Sequence, residues 1–148
     1  MLIDTQTKLA DTQALTATAI SNNVLDQRNA ATPSLVDEGI LSRAWLNVLA
    51  LTAANGADAA KTLTITLESS AAVGLTTPTV HFSTAAIVGS AIAAGTVLVR
   101  VPLPSGDYLR YLGLRFTVSA GFTAFNVHGF ITLGVQRNMI YPTGFAVA

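Results

Sequence analysis

Polar and apolar positions alternate along residues 107–118 (DYLRYLGLRFTV). Leu112, Leu114, Phe116 and Val118 fall on one side, and Tyr111, Gly113, Arg115 and Thr117 on the other. A period of two predicts a half-buried strand. The preceding PLPSG, residues 102–106, ends whatever comes before it. Residues 62–68 (TLTITLE) are cleaner still, with Leu63, Ile65 and Leu67 opposite Thr62, Thr64 and Thr66. The β-branched threonines suit a pleated surface. Burying the three apolar side chains contributes about 5–8 kcal/mol before chain entropy is charged.

Other segments carry weaker versions of the same signal. Residues 44–52 (AWLNVLALT) read as a strand apolar on both faces, with a short helix as the rival; Trp45 reads as a core or sheet-end anchor. Asn55-Gly56 centres a turn. Residues 79–84 (TVHFST) and 97–103 (VLVRVPL) are further strands, and Pro102 places the second run at an edge or a strand exit. Residues 122–135 (FTAFNVHGFITLGV) are expected to pair with 107–118 as a hairpin. That register sets Phe116 against Val127, Leu112 against Ile131 and Phe130 across from Gly113. It also sets Arg115 beside His128, disfavouring protonation of that histidine.

Residues 1–29 are polar and extended in character, with short strands at 15–20 and 24–26. They read either as a first strand plus loop or as an arm reaching a neighbouring subunit. Residues 30–39 (AATPSLVDEG) are a loop whose Asp37-Glu38 pair has no further acidic ligand nearby. The tail, 136–148 (QRNMIYPTGFAVA), is apolar and irregular, so it is expected to pack on the domain or on a neighbour. Seven or eight short strands separated by turns, without a long 3.6-residue period, indicate one all-β domain, an antiparallel sandwich or barrel.

Composition adds a second kind of information. Eight Lys+Arg balance eight Asp+Glu, and the arginines are scattered, so nucleic acid is not the expected partner. Charged residues are 11% and hydrophobic residues 51%, against roughly 25% charged in ordinary soluble domains. Such a surface is expected to be covered by something else. No cysteine is present, which excludes disulfides and Cys-rich zinc sites. The most membrane-like stretch, 83–99, is too short to span and is broken by Gly89 and Gly95, so no membrane role is expected; two short strands around a Gly-Ser turn account for it. The start lacks the basic and apolar regions of a secretory signal.

Catalytic chemistry finds little footing. GxSxG, GxGxxG and GxxxxGK[ST] motifs are absent. His81 and His128 without a carboxylate cluster make a poor metal site. The chain is therefore expected not to be an enzyme and to hold no metal or cofactor. A β-sandwich hydrolase would need Asp37, Glu38, Glu68 and Asp107 to converge. Tyr108, Arg110, Tyr111 and Arg115 differ in kind: they cluster on one strand, and Tyr and Arg are enriched at protein-binding hot spots.

Three stretches together carry a family resemblance: LADTQALTATAISNNVLD near the start, VPLPSGDYLRYLGLRFTVSAG in the last third, and NMIYPTGF at the end. With them the chain resembles the Bbp16-type capsid cement, or decoration, proteins of tailed bacteriophages. The resemblance implies a jelly-roll-like β-sandwich (residues 30–148) with an extended N-terminal arm and first short strand (residues 1–29). It also implies a structural role on the outer surface of the virion capsid, after synthesis in the host cytoplasm. The partners would be the major capsid protein, whose subunits it bridges, and further copies of the chain, as a homodimer before a trimer. Interface candidates are Leu2, Ile3, Tyr108, Arg110, Tyr111, Arg115, Tyr141 and Phe145. A strict jelly roll sets most successive strands in opposite sheets, which conflicts with the hairpin expected above. The rival reading is a virion adhesin that binds glycans or a host surface, a thin case with one tryptophan and few acids.

Overall fold

A computed structural model of the chain describes residues 7–27 and 44–133. Among the described residues ten strands form two antiparallel sheets: β1 (Lys8–Ala14), β2 (Ala19–Ile20), β3 (Leu25–Asp26), β4 (Ala44–Ala50), β5 (Thr62–Ser70), β6 (Thr79–Ser83), β7 (Ile87–Val88), β8 (Val97–Pro102), β9 (Tyr111–Val118) and β10 (Asn126–Leu133). One sheet runs β1-β10-β4-β8. In the other, β9 and β5 are the centre, β2 and β3 share the outer side of β9, and β6 and β7 share the outer side of β5. With each sharing pair counted as one broken strand, there are eight positions. First pairs with last, second with seventh, third with sixth and fourth with fifth. That nested pairing, rolled into two layers, is a jelly roll.

β5, β8 and β10 form within the runs where strands were expected, β9 takes only the later part of 107–118, and β1 forms over 8–14, where none was expected. Leu63, Ile65 and Leu67 of β5 and Leu112, Leu114 and Phe116 of β9 are buried in the core between the sheets. From the other sheet come Leu46, Val48 and Ala50 of β4 and Val127 and Ile131 of β10. Residues 44–50 are a strand, as expected over their helical rival. Pro102 ends β8 at the edge of its sheet, where a missing ladder donor costs least.

Two expectations are corrected. The hairpin between 107–118 and 122–135 does not form. β9 pairs with β5 (Phe116 with Ile65, Gly113 with Glu68), whereas β10 pairs with β4 and β1 (Phe130 with Asn47 and Lys8). Residues 119–125 cross from one sheet to the other instead of turning back. The two strands meet across the core: a Cβ added at Gly129 of β10 would stand 2.8 Å from Leu114 Cδ1 of β9. The residue opposite Arg115 is therefore Thr66, not His128. The second correction is that Tyr108 and Arg110, expected on one strand with Tyr111 and Arg115, lie in the connection before β9, which begins at Tyr111. Lys8–Asp26 is not free of the domain, since it supplies β1 to one sheet and β2 and β3 to the other. Residues 1–6 and 28–43 lie outside the described residues.

The strand directions give the sandwich two distinct ends. Connections 15–18, 51–61, 89–96 and 119–125 gather at one. At the other lie 71–78 and 103–110, together with Thr7, Gln27, Ala44 and Leu133.

Candidate functional site

The first of these ends is closed by its own contacts. Asp58, fully buried, accepts hydrogen bonds from the Thr123 N–H (2.8 Å) and hydroxyl (3.1 Å). It also pairs with Lys61 Nζ at 2.6 Å, and Lys61 donates to the Gly121 carbonyl as well. The Lys61 hydrogen bond, helped by those from Thr123, holds the Asp58 carboxyl below its ordinary range against the opposing effect of burial. Two glycines let the connections touch. A Cβ at Gly121 would stand 1.8 Å from the Thr16 carbonyl oxygen, and one at Gly89 would stand 2.1 Å from that of Asp58. Leu15 and Phe122 complete the closure: the Phe122 N–H donates to the Leu15 carbonyl, and the Leu15 N–H donates to that of Phe125.

The opposite end carries the aromatic and arginine residues singled out in the sequence. Arg110 donates from Nε (2.9 Å) and Nη2 (2.8 Å) to the two carboxylate oxygens of Asp26, a bidentate pair half open to solvent. Asp26 keeps the guanidinium charged, shifting its titration upward. The Arg110 guanidinium carbon lies 4.9 Å from the Tyr111 ring centre, a cation–π contact. Tyr108 stacks on His81 with ring centres 4.1 Å apart and donates from its hydroxyl to the Pro104 carbonyl. His81 Nε2 is 2.7 Å from the Ser69 hydroxyl, which also accepts from the Leu109 N–H. Burial holds the His81 imidazole below its ordinary pKa. Leu109, Val73 and Val80 are exposed around this group.

Ser69 beside His81 has the donor geometry of a nucleophile and base, but Ser69 is fully buried and its hydroxyl is closed to a substrate. The contact ties 103–110 to the end of β5. Among the described residues no group of three His, Asp or Glu side chains is placed to hold a metal ion. His81 and His128 have separate neighbours, His128 Nδ1 standing 3.4 Å from Asp11. Protonation of His128 is disfavoured, as the sequence led us to expect, but burial is the cause and Arg115 has no part in it.

Arg115 is engaged within the domain. Its Nε spans both carboxylate oxygens of the buried Glu68 (3.0 and 2.9 Å), and Nη2 donates to the Leu75 carbonyl at 3.0 Å. This anchors connection 71–78 over β9, where Gly113 leaves room for Leu75, Ser21 and Val24. Thus Arg110 and Tyr111 are in contact, Tyr108 lies at the same end against His81, and Arg115 stands inward as a brace. Leu2, Ile3, Tyr141 and Phe145 lie outside the described residues, as do Asp37 and Glu38. Sequence reasoning did not reach Asp26, Ser69 and His81 as members of this group. Asp26 and Arg110 are 84 positions apart, and only the closing of β3 on β9 unites them.

No helix among the described residues is long and apolar enough to cross a membrane. A search of curated proteins finds no match to the chain. The family model named Bbp16 matches residues 9–131, from the second residue of β1 nearly to the end of β10. Both sheets and the end bearing Tyr108, Arg110 and Tyr111 fall within that span, and the chain belongs to the Bbp16 family, a phage-related family.

Proposed function

We propose that this protein is a structural cement of a phage head: it binds the outer surface of the capsid and bridges subunits of the major capsid protein. It is made in the host cytoplasm and resides on the virion. It acts by contact and not as an enzyme, without cofactor or metal. The observation that carries the reading is the asymmetry of the sandwich in a member of this family. At one end Asp58, Lys61 and Thr123 bind one another, whereas the other holds the partly exposed Arg110, stacked on Tyr111, next to Leu109 and Tyr108. Aromatic and arginine side chains that are positioned but still accessible are what binding hot spots are made of. A chain with only 11% charged residues suits broad contact with a shell.

Cement action needs no chemistry. A protein that binds only the assembled lattice stabilises that lattice by mass action, and many copies on a symmetric shell add their effects. Self-association, as a dimer before a trimer, would let one assembly span two capsid subunits.

Sedimentation of the purified chain with intact heads tests the proposal. Saturable co-sedimentation at a fixed ratio to the major capsid protein is expected, and the free chain's own sedimentation gives its oligomeric state. Failure to bind heads, with selective binding on a glycan array, would replace the cement reading with the adhesin.

A further inference from the structure

The connection 71–78, between β5 and β6, is strained and firmly held, yet most of it is exposed. Leu75 and Thr77 lie in the left-handed region, at φ 47° and 48°. Neither is glycine, and Thr77 is β-branched, so both positions carry backbone strain. The bonds around them keep the conformation. Ser70, buried at the end of β5, donates to the Thr76 carbonyl (2.6 Å) and accepts from the Ala72 N–H (3.2 Å). The Leu75 N–H donates to the Ala72 carbonyl at 3.0 Å. Arg115 donates to the Leu75 carbonyl and is itself fixed by the buried Glu68. Leu75 is 1% exposed and seats where Gly113 has no side chain, since a Cβ there would stand 2.9 Å from Leu75 Cδ1.

Leu75 alone covers Gly113. Every other residue of 71–77 is exposed, and Val73, at 61%, is the most exposed large hydrophobic side chain among the described residues. Val73 belongs to the run Ala71-Ala72-Val73-Gly74, which has no polar side chain. Val80 of β6, close behind in sequence, is also exposed. Exposed apolar side chains in a row are unfavourable for a free domain, and so is strained backbone. A contact made only in a complex accounts for both, because a loop already fixed in its bound form loses little entropy on binding. The chemistry of the partner follows from the charges. Residues 71–78 carry none, and the nearby Arg115 and Arg110 are paired with Glu68 and Asp26. What this loop offers is therefore apolar and neutral, and an uncharged apolar recess complements it.

We infer that 71–78 is a contact loop that seats Val73 in an uncharged apolar recess of the major capsid protein. This rests on the cement reading and adds a contact element to the end that bears Arg110 and Tyr111.

Sedimentation titration of the full chain with intact heads tests the loop. The variants are Val73→Asp, Val73→Ser and, as a control, Val88→Asp, which places the same charge at an exposed valine paired with Thr62 toward the opposite end. Thermal midpoints should coincide, since both valines are exposed; Val73→Ser serves should the charged variant unfold early. Retention on heads should weaken about tenfold for Val73→Asp and about threefold for Val73→Ser, and stay unchanged for Val88→Asp. Retention of both Val73 variants equal to that of the unaltered chain would overturn the inference and leave the cement reading standing. So would equal losses at Val73 and Val88. No binding by the unaltered chain would remove the cement reading, and the inference with it.

Discussion

The two ends of this jelly roll are built from the same materials and put them to opposite use. At the end holding Asp58, one carboxylate collects Lys61 and both donors of Thr123, and Gly89 and Gly121 bring backbone against backbone. The Asp58 carboxylate there is fully buried and spent on these contacts. At the end holding Arg110, the carboxylate of Asp26 fixes the guanidinium but leaves it half open above Tyr111. Tyr108 is steadied from behind by His81 and Ser69. A buried carboxylate ringed by hydrogen bonds ties the connections together at one end; a half-open ion pair beside an aromatic ring leaves the other accessible to contact. The difference separates what holds the domain together from what the domain presents.

Substitutions should respect that division. The largest loss of stability is expected from Gly121→Ala, whose Cβ would overlap the Thr16 carbonyl oxygen. Overpacking against backbone should cost about 3 kcal/mol and lower the thermal midpoint by about 10 °C. Gly56→Ala, with nothing within 4 Å of the added carbon, is the control and should leave the midpoint in place. An equal response at both glycines in thermal unfolding would contradict the close approach.

Next comes Asp58→Asn, which keeps the shape and removes the charge facing Lys61. It should lower the midpoint by less than Gly121→Ala. The pH profile gives the sharper reading. The folded-state pKa of Asp58 is depressed, so its stabilisation is complete above the ordinary carboxylate range and is lost as pH falls below it. The unaltered chain should therefore lose stability more steeply below about pH 4 than the Asn variant. Parallel acid-unfolding curves would show that the Lys61 pair is not felt.

The other end should behave in the reverse sense. Arg110→Ala together with Leu109→Ala should leave the unfolding midpoint almost unchanged, since both side chains are partly exposed. The same variant should weaken retention on phage heads about tenfold in a sedimentation titration. A variant that unfolds early but binds as before would assign this end a purely structural role.

The smallest effect is expected at His81. Burial depresses its folded-state pKa, so the unfolded chain binds more protons and stability falls as pH drops below about 6.5. His81→Gln should reduce that slope between pH 7 and 5 in pH-resolved melting, leaving the remainder to His128, whose pKa burial also lowers.

What could be read in advance follows from the range of the interactions. The strands of β5 and β9 were legible because alternation is written into consecutive residues, and Leu63, Ile65 and Leu67 face the core as the pattern requires. Their partners were not legible. Phe116 packs equally well beside Val127 or Ile65 as far as local pattern can say, and only the nested winding of the whole chain selects Ile65. The hairpin failed for that reason. Tyr108, Arg110 and Tyr111 were found because they are neighbours in sequence. Arg115 looked the same there, and its engagement with Glu68, 47 positions away, appears only once β5 lies beside β9. The glycines of the closed end gave no signal at all, because what they admit is the carbonyl oxygen of a distant residue.

Hydrogen exchange of the chain, free and bound to intact heads, tests the central division most directly. Slower exchange on binding in 103–111 and 71–78, with 51–61 and 119–125 unchanged, is the result the two-ended account predicts. Protection centred on 51–61 and 119–125, with 103–111 exchanging as in the free chain, would contradict it.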